Sequence, residues 1–404
     1  MSLEVPEGWR PVDLGDVAQE SRARNTDLRI AAECLVGVFK EVGMVPMRDR
    51  VRGASFERCK VVRPGDFAYN PMRINIGSIA RSTAKDNLMV SPDYVVFSPD
   101  PTRIDGLFLD FLRKSEQWAA FVGNSGDGGV RIRIYFEHLA RFRFHLPPLQ
   151  EQRRIAEILS SVDDAIAATR AVIEQTRKVK QGVQERLLTK GIGHTHFKQT
   201  EIGDIPEGWE VKPVDELCLL SNGNGFRPPD WSDTGLPIIR IQNLNGRKNF
   251  NYFNGKPMDK WLIHPGDLLF AWAGVRGVSF GPTIWPGPLG VLNQHIFKIS
   301  CRENVDKLWL FQTMKLITFK IEAKAHGFKD SLLHVHKKEI TGQLVAVPPF
   351  AEQVKISAKA AELQATEHAG QSALDRLLLL KSALMSDLLT GRKRVIDALP
   401  MAAE

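Results

Sequence analysis

Four short motifs bring together side chains that could do chemistry, and each lacks a part that its reaction needs. Asn70-Pro71-Met72-Arg73 begins like the Asn-Pro-Pro-aromatic loop that holds a flipped adenine, but it has neither the second proline nor the stacking aromatic. Glu322-Ala323-Lys324 has the spacing of a nuclease carboxylate and lysine, yet 308–324 predicts a helix without a nearby acidic partner for a metal. His334 and His336 have no third metal ligand, and the glycine-rich loop 123–129 lacks a phosphate-binding lysine. The sequence therefore favours a protein that catalyses nothing.

Amide and arginine side chains in glycine-rich or turn contexts are better candidates, for binding DNA. Arginine pairs bidentately with guanine, and asparagine or glutamine with adenine, so these residue types carry most direct base reading. Any single one of them is at least as often a surface or structural residue. Arg131 and Arg133 alternate, which predicts that both project from one face of a strand. The predicted DNA-binding residues in the first half are Asn70, Arg73, Asn75, Arg81, Lys85, Arg131 and Arg133. In the second half they are Asn224, Arg227, Arg240, Gln242, Asn243, Arg276, Asn293, Gln294 and Lys329.

The composition is that of a soluble globular protein with two or three domains. The chain has 404 residues, of which 43% are hydrophobic and 25% are charged, and single cores rarely grow beyond roughly 250–300 residues. A net charge of +7 favours contact with a polyanion, although 54 basic and 47 acidic residues dilute the excess. The four cysteines form no CxxC pair, so we expect neither a zinc site nor a disulfide framework. No signal-peptide pattern and no apolar run of ~20 residues is present, so we expect no membrane association and a cytoplasmic location.

The chain repeats a set of motifs in the same order, with an offset of roughly 200 residues. Val5-Pro6-Glu7-Gly8-Trp9 returns as Ile205-Pro206-Glu207-Gly208-Trp209, and Arg63-Pro64-Gly65-Asp66 returns as His264-Pro265-Gly266-Asp267. Leu146-Pro147-Pro148-Leu149-Gln150-Glu151-Gln152 returns as Val347-Pro348-Pro349-Phe350-Ala351-Glu352-Gln353, and Leu187-Leu188-Thr189 returns as Leu388-Leu389-Thr390. Between these motifs, 73–133 has no evident counterpart in 274–334. This pattern indicates a duplicated scaffold that holds two unlike variable modules.

Each half ends in a segment that predicts one long helix. The segments 150–190 and 351–390 contain no proline, and their apolar residues step by four and three as in a coiled-coil heptad. The seam of the second segment is weaker around Gly370. The predicted coiled-coil residues are Ile155, Leu159, Val162, Ile166, Ile173, Val183, Leu187, Ile356, Leu363, Leu374, Leu377, Leu384 and Leu388.

The length of these helices predicts their use. About 40 residues at 1.5 Å each make a rod of roughly 60 Å, so each rod needs a partner along its length. We expect the two rods to pair antiparallel, with the variable modules at opposite ends and with Thr169 and Lys180 helping to set the register. Such a spacer covers about 18 base pairs, which predicts a bipartite and asymmetric DNA target. In the alternative arrangement, each helix packs only on its own domain.

The order and spacing of these motifs resemble the specificity subunits of type I restriction-modification enzymes over essentially the whole chain. The resemblance lies in the segment 146–152 with Ile155-Ala156-Glu157-Ile158-Leu159, in the echo at 347–353, and in the Pro-Glu-Gly-Trp, Pro-Gly-Asp and Leu-Leu-Thr motifs of each half. The segments 65–73 and 90–94 are similar to one class of target recognition domain. The segments 266–272 and 292–295 are similar to another class.

The resemblance implies two α/β (α+β) recognition domains joined by two long helices that form an antiparallel coiled coil, as a pseudo-two-fold internal repeat. We accordingly divide the chain into recognition domain 1 (1–148), a central helix (149–191), recognition domain 2 (192–348), a C-terminal helix (349–391) and a tail (392–404).

The implied partners are double-stranded DNA with a bipartite target, two methyltransferase subunits on the coiled coil, and two restriction-translocase subunits. S-adenosylmethionine, ATP and Mg are expected on those subunits, and no cofactor is expected in this chain. The rival interpretations are a self-contained DNA methyltransferase or nuclease, which the incomplete motifs disfavour, and a scaffold that binds only proteins.

Overall fold

The computed structural model describes residues 5–47, 55–124, 133–324 and 332–395, and the chain forms two compact units. The first unit contains Met1–Ala171 and Ser372–Glu404, and the second contains Val172–Gln371. Each unit therefore holds one globular module together with parts of both long helices. No helix among the described residues is long and apolar enough to cross a membrane.

The first module is built around a four-stranded antiparallel sheet. Its strands are β1 (Arg10–Asp13), β2 (Ala18–Glu20), β3 (Val36–Phe39), β4 (Gly43–Pro46), β5 (Lys60–Val62), β6 (Phe67–Tyr69), β7 (Ile79–Arg81), β8 (Leu88–Val90), β9 (Val95–Pro99) and β10 (Arg143–Leu146), and its helices are α1 (Gly106–Leu112), α2 (Glu116–Asn124) and α3 (Phe136–Leu139). The sheet has the order β2-β9-β6-β7, and β1-β10, β3-β4 and β5-β8 form antiparallel pairs. Phe67 and Phe97 stack in its core with ring centroids 5.0 Å apart. The two rings come from the paired central strands β6 and β9.

The second module contains two four-stranded sheets. Its strands are β11 (Phe197–Thr200), β12 (Gly203–Pro206), β13 (Glu210–Pro213), β14 (Cys218–Asn222), β15 (Leu236–Ile239), β16 (Tyr252–Phe253), β17 (Leu262–Ile263), β18 (Leu268–Ala271), β19 (Ala273–Val275), β20 (Gly281–Ile284), β21 (Gly290–Leu292), β22 (Ile296–Cys301), β23 (Leu332–His334) and β24 (Leu344–Val347). Its helices are α5 (Ile241–Leu244), α6 (Lys307–Lys324) and α7 (Lys337–Thr341). The sheets have the orders β14-β22-β18-β20 and β16-β15-β21-β17, and β15 runs parallel to β21.

The variable parts of the two modules share one strand framework. The order β14-β22-β18-β20 repeats β2-β9-β6-β7 with the same antiparallel pairing. Strands β7 and β9, within 73–133, therefore correspond in backbone pairing to β20 and β22, within 274–334, although the two sequences show no evident similarity. This correspondence of strands is not visible in the sequence. The hydrogen bonds between strands are made by the backbone, so the side chains can differ while the pairing persists.

The repeated Pro-Gly-Asp motif forms the turn that starts each central strand. Gly65 and Gly266 both have a φ of +85°, a conformation that favours glycine. Asp66 accepts the backbone N–H of Arg63 at 2.9 Å, and Asp267 accepts that of His264 at 2.9 Å. The motif recurs because both modules need the same turn.

Two long helices follow the modules, as the sequence predicts. They are α4 (Leu149–Lys190), with 42 residues, and α8 (Phe350–Leu388), with 39 residues. Both are continuous because their segments have no proline to remove a hydrogen bond, and α8 ends two residues before the end of the expected segment 351–390. Each helix contributes to both units.

A glutamate in the first turn of each long helix binds the tryptophan of the Pro-Glu-Gly-Trp motif. Glu151 accepts a hydrogen bond from Nε1 of Trp9 at 3.0 Å, and Glu352 accepts one from Nε1 of Trp209 at 2.9 Å. In the first unit Arg394 also donates to both oxygens of Glu151, at 2.7 and 2.9 Å.

In the second unit, different groups donate hydrogen bonds to the equivalent glutamate, Glu352. Oε1 of Glu352 accepts the backbone N–H of Ile192 at 3.1 Å and Nε2 of His194 lies 2.8 Å away. Burial alone would raise the pKa of Glu352, but the hydrogen bonds from Trp209, His194 and Ile192 outweigh it and lower the pKa below its usual value. A charged carboxylate is therefore the form that stabilises this junction.

The next residue, a buried glutamine, holds the loop that leads into α1 in the first module and into α6 in the second. In the first unit, Oε1 of Gln152 accepts the N–H of Asp105 at 2.7 Å, and its Nε2 donates to the carbonyls of Arg103 and Pro147 at 3.1 and 2.9 Å. In the second unit, Gln353 makes the same three contacts, with Asp306, Asn304 and Pro348. The repeated Glu-Gln pair is thus a junction between helix and module.

Within the first unit, the start of α4 packs against the end of α8. Ile155 and Leu159 share one buried cluster with Leu388 and Leu389. Further along, Lys381 forms an ion pair with Asp163 at 2.5 Å. As residue numbers rise in α4 they fall in α8, so the two segments are antiparallel.

Within the second unit, the end of α4 packs against the start of α8 in the same sense. Lys180 Nζ lies 2.7 Å from Glu367 and also donates to Gln364, and Arg177 Nε lies 2.9 Å from Glu367. These hydrogen bonds lower the pKa of Glu367 to about 2. Lys180 therefore makes the expected register contact, whereas Thr169, in the first unit, donates to Ala165 of its own helix.

The weak seam at Gly370 is a close approach between helices. A Cβ added at Gly370 would lie 3.1 Å from Cγ1 of Ile173, so an alanine there would require the Ile173 side chain to shift by a few tenths of an ångström. Glycine is a weak helix former, but because it has no side chain it allows the two helices to pack closely at this position.

The predicted seam residue Val183 requires a correction. Val183 is 38% exposed, and the neighbouring Gln184 is half-buried, with Nε2 at 3.5 Å from Oε1 of Gln312. A helix has 3.6 residues per turn against the 3.5 of a heptad, so the inward position drifts and moves from 183 to 184. The other predicted seam residues are buried or half-buried, namely Ile155, Leu159, Val162, Ile166, Ile173, Leu187, Ile356, Leu363, Leu374, Leu377, Leu384 and Leu388.

Replacing Glu352 tests the junction. In Glu352→Gln one carboxylate oxygen becomes an NH₂ group that faces donors, so we expect the free energy of unfolding to fall by about 1–3 kcal/mol at neutral pH. Because the folded pKa of Glu352 is lowered, this stabilisation is present above the usual glutamate pKa and is lost as pH falls through the folded value. Urea unfolding followed by tryptophan fluorescence should therefore show variant and wild type converging in acid.

The matched control is Glu362→Gln, at an exposed position of the same helix. It should change stability by less than about 0.5 kcal/mol. Equal losses in the two variants would contradict the junction.

Candidate nucleic-acid interface

Three predicted DNA-binding residues of the second module follow the carboxyl ends of neighbouring strands. Arg240 follows β15 and Asn293 follows β21, and the N–H of Asn293 donates to Ile239 O at 3.0 Å. Asn224, beyond the end of β14, donates its N–H to Leu292 O at 2.8 Å and forms a β-bridge with Asn293. The parallel pairing of β15 and β21 brings their ends to one edge of the sheet.

Glycine makes the approach of these loops possible. A Cβ at Gly223 would lie 2.2 Å from the carbonyl oxygen of Asn293, and one at Gly225 would lie 2.6 Å from Oε1 of Gln294. A side chain at Gly223 would require the neighbouring backbone to move, whereas one at Gly225 would require only the Gln294 side chain to shift.

Asn243 is a structural residue, which corrects its predicted role as a base reader. It is 5% exposed, and its Oδ1 accepts the N–H of Arg240 at 2.9 Å. Its Nδ2 donates to the carbonyls of Arg247 and Asn249, both at 3.0 Å. The amide is used within the protein, so it has no remaining group to present to a base. The adjacent Gln242 is exposed.

Arg240 is held by two contacts inside its module. Its NH1 donates to Oδ1 of Asn251 at 2.8 Å, and its guanidinium lies 4.6 Å from the ring centroid of Trp231. These contacts fix the guanidinium at the strand edge, where its other donors can reach a phosphate or a base.

Three aromatic side chains that the sequence analysis did not assign to DNA lie at the same edge. Trp272 follows β18, and its ring centroid is 5.1 Å from that of His295 and 5.7 Å from that of His334. Nε1 of Trp272 donates to Gln294 O at 3.2 Å. Residue type alone, which favours amides and arginines, does not indicate this cluster, although Trp272 lies in the segment 266–272 and His295 in the segment 292–295.

The corresponding loops of the first module place only some of the predicted residues together. Asn75 and Arg81 line one open cleft with a volume of about 1300 Å³, beside Lys40. Nε of Arg81 is buried without a hydrogen-bond partner among the described residues. Asn70 instead accepts the N–H of Met72 at 3.0 Å, which stabilises the turn after β6.

The remaining candidates are at the surface or outside the described residues. Arg276 is half-buried, and Arg133 lies in an irregular segment, not on the predicted strand. Arg131 and Lys329, like most of the loop 123–129, lie outside the described residues. The exposed candidates are Arg73, Asn75, Lys85, Arg133, Arg227, Gln242 and Gln294.

The motifs tested for chemistry have structural roles where the structure describes them. Glu322 accepts the N–H of Gly277 at 2.9 Å, and the backbone N–H of His336 donates to Glu339 at the start of α7. Among the described residues, no group of three or more His, Cys, Asp or Glu side chains could hold a metal ion.

Comparison with known proteins identifies the family. The profile of the type I restriction modification DNA specificity domain matches residues 6–176 and again residues 206–367. The chain belongs to this family. Two specificity domains therefore account for the two halves of the duplication.

Related specificity subunits match over most of the chain. The type I restriction enzyme MjaVIII specificity subunit of Methanocaldococcus jannaschii is 25% identical over 414 residues, covering 97% of this chain and 95% of the relative. The EcoKI specificity subunit of Escherichia coli K12 is 20% identical over 389 residues, covering 89% of this chain and 76% of the relative.

Solved structures share the fold of this specificity protein. A chain from a study of complex assembly and conformational transition of the type I R-M system has a TM-score of 0.64 at 18% identity, covering 97% of this chain and all (100%) of that chain. The HsdS subunit from Thermoanaerobacter tengcongensis has a TM-score of 0.53 at 19% identity, covering 97% and 99%. The expected fold class, two mixed recognition domains with two long paired helices, is confirmed.

Variants of Asn243 and of its exposed neighbour Gln242 test whether Asn243 has a structural role. Asn243→Ala leaves one backbone N–H and two carbonyls without their partner, so the free energy of unfolding should fall by about 1–3 kcal/mol. Gln242→Ala, at the exposed neighbouring position, should change it by less than about 0.5 kcal/mol. Urea unfolding of both variants checks this, and equal stability of Asn243→Ala and wild type would contradict the structural role.

Proposed function

We propose that this chain is the DNA-recognition subunit of a type I restriction-modification complex and catalyses no reaction itself. The observation that carries the proposal is one strand framework present twice, with unlike side chains at the ends of corresponding strands. Two different DNA-recognition modules on one chain suit a target made of two different half-sites. The target is therefore bipartite and asymmetric.

The paired helices set the separation of the two half-sites. Helix α4, with 42 residues, is about 60 Å long, a length that corresponds to roughly 18 base pairs. The ion pairs of Glu367 with Lys180 and Arg177 favour one register, because a shift along the helix would separate the charges. A fixed register gives a fixed gap.

The outer faces of the helices bind two methyltransferase subunits. Val172, Val179 and Val183 are exposed, and their spacing places them on one face of α4. An exposed apolar stripe on a helix is typical of a protein interface. Two restriction-translocase subunits complete the complex in the cytoplasm, and S-adenosylmethionine, ATP and Mg bind to the partner subunits. The complex methylates adenine in its target and cleaves unmodified DNA.

DNA binding and its salt dependence test this proposal. The chain, with its methyltransferase subunit, should select a split target from a pool of random duplexes. The logarithm of its affinity should fall linearly with the logarithm of salt concentration, by ~0.9 for each phosphate contact. The absence of DNA binding at low salt would favour a protein-only scaffold, and turnover of S-adenosylmethionine by the chain alone would favour a self-contained methyltransferase.

Gap variants of the selected duplex provide the matched control for the spacer. Adding two base pairs to the gap should weaken binding by about tenfold or more, equivalent to ~1.4 kcal/mol. Changing the gap sequence at constant length should leave the affinity within about twofold. Equal affinity for the lengthened gap would reject the spacer role.

A further inference from the structure

The Trp272, His295 and His334 cluster of the second module has the features of a prepared reading surface. The three rings come from three separate segments, and the centroids of His295 and His334 are 6.2 Å apart. His334 is exposed, and Trp272 and His295 are half-buried. The rings therefore contact each other and remain accessible from one side.

Backbone hydrogen bonds fix these three segments. The N–H of Trp272 donates to His295 O at 3.2 Å, and Trp272 O accepts the N–H of Val335 at 3.0 Å. Strands β19 and β23 continue the pairing, with Ala273 opposite His334. A rigid platform loses little conformational entropy when it binds a ligand.

Two buried polar atoms beside the rings have no hydrogen-bond partner in the part of the chain that the structure describes. Oδ1 of Asn293 and Nδ1 of His295 are buried, and neither has a hydrogen-bond partner among the described residues. Gln294, which is exposed, has its Nε2 3.0 Å from Nε2 of His295. Buried polar atoms are rarely left unpaired, so these atoms point to a ligand with donors and acceptors on a flat edge.

The first module has the same three positions with different side chains. Pro71 O accepts the N–H of Ile134 at 3.0 Å, as Trp272 O accepts that of Val335. The register of β6 with β9, continued past Tyr69 and Val95, places Asp93 opposite Pro71, as His295 lies opposite Trp272. Arg133 precedes Ile134 as His334 precedes Val335. Aromatic and imidazole groups in one module thus correspond to proline and charged groups in the other.

We propose that Trp272, His295 and His334, together with the amides of Asn293 and Gln294, form the base-reading site of the second module. The site takes the edge of a base pair: the amides pair with its donors and acceptors, and the rings give apolar contact. This assignment rests on the proposed function and goes beyond it by naming the side chains that determine one half-site of the target.

Mapping of methylated adenines in cells tests the site. The full chain is expressed with its methyltransferase subunit in cells without other adenine methylation, and the motif is read by sequencing. Gln294→Ala removes an exposed side chain, and His334→Arg and His295→Asp install the residues found in the first module. Each should change one half-site, or lower methylation by at least about tenfold there, with the other half unchanged.

His264→Arg is the matched control, because it also installs the residue of the first module, Arg63. It lies before β18, at the other end of that strand from Trp272, and its side chain is 61% exposed. It should leave the motif unchanged.

The outcomes distinguish the site from the proposed function. A wild-type complex without a bipartite motif would reject the proposed function itself. A bipartite wild-type motif that stays the same in all three variants, or that changes in both halves, would overturn the site alone. Melting temperatures of the purified complexes identify variants that lose their fold. If the histidine variants unfold, Gln294→Ala, which removes no core packing, decides whether this site reads one half of the target.

Discussion

A carboxylate at the start of each long helix, buried in Glu151 and half-buried in Glu352, joins the recognition module to the coiled coil. Glu151 and Glu352 each accept the indole N–H of a Pro-Glu-Gly-Trp tryptophan. A charged group is costly to bury without a full set of donors, so the surrounding motif has little freedom to change. Arg394 completes the set in the first unit, and Ile192 with His194 completes it in the second. The Pro-Glu-Gly-Trp and Glu-Gln motifs, which recur in both halves, meet at this carboxylate, whereas its remaining partners differ between the two units.

The helix pair gains its specificity from residues that interrupt its apolar seam. Glu367 is held by Lys180 and Arg177, and Gly370 allows Ile173 to approach closely. Neither feature adds much apolar burial, but both are lost if the helices slide. Polar seam positions are known to fix register in coiled coils at some cost in stability. In this chain a fixed register has a direct use, since it fixes the gap between two half-sites.

The sequence predicts the scaffold well because the scaffold depends on patterns that are visible in one dimension. Repeated motifs reveal the duplication, and two proline-free heptad segments reveal the helices. The drift that moves the seam from Val183 to Gln184 depends on the true helical repeat, which a strict heptad ignores. Shared strand order in the variable segments escaped detection because it is made by backbone pairing.

The candidate site is less predictable because residue type does not reveal burial or neighbours. Asn243 has the right chemistry for a base reader, but its amide is used to hold a turn. Trp272 and His334 are 62 positions apart in the sequence and meet only through the pairing of β19 with β23. A choice by residue type alone therefore includes structural amides and omits aromatic contacts that the fold creates.

If two independent recognition modules share one helical spacer, exchanging one module should change only the sequence that this module reads. Residues 10–145 are replaced by the corresponding segment of another specificity subunit, and methylated adenines are mapped in cells that contain the methyltransferase subunit. We expect a new sequence in one half-site, with the other half-site and the gap length unchanged. A change in both half-sites, or a changed gap with the same helices, would contradict it.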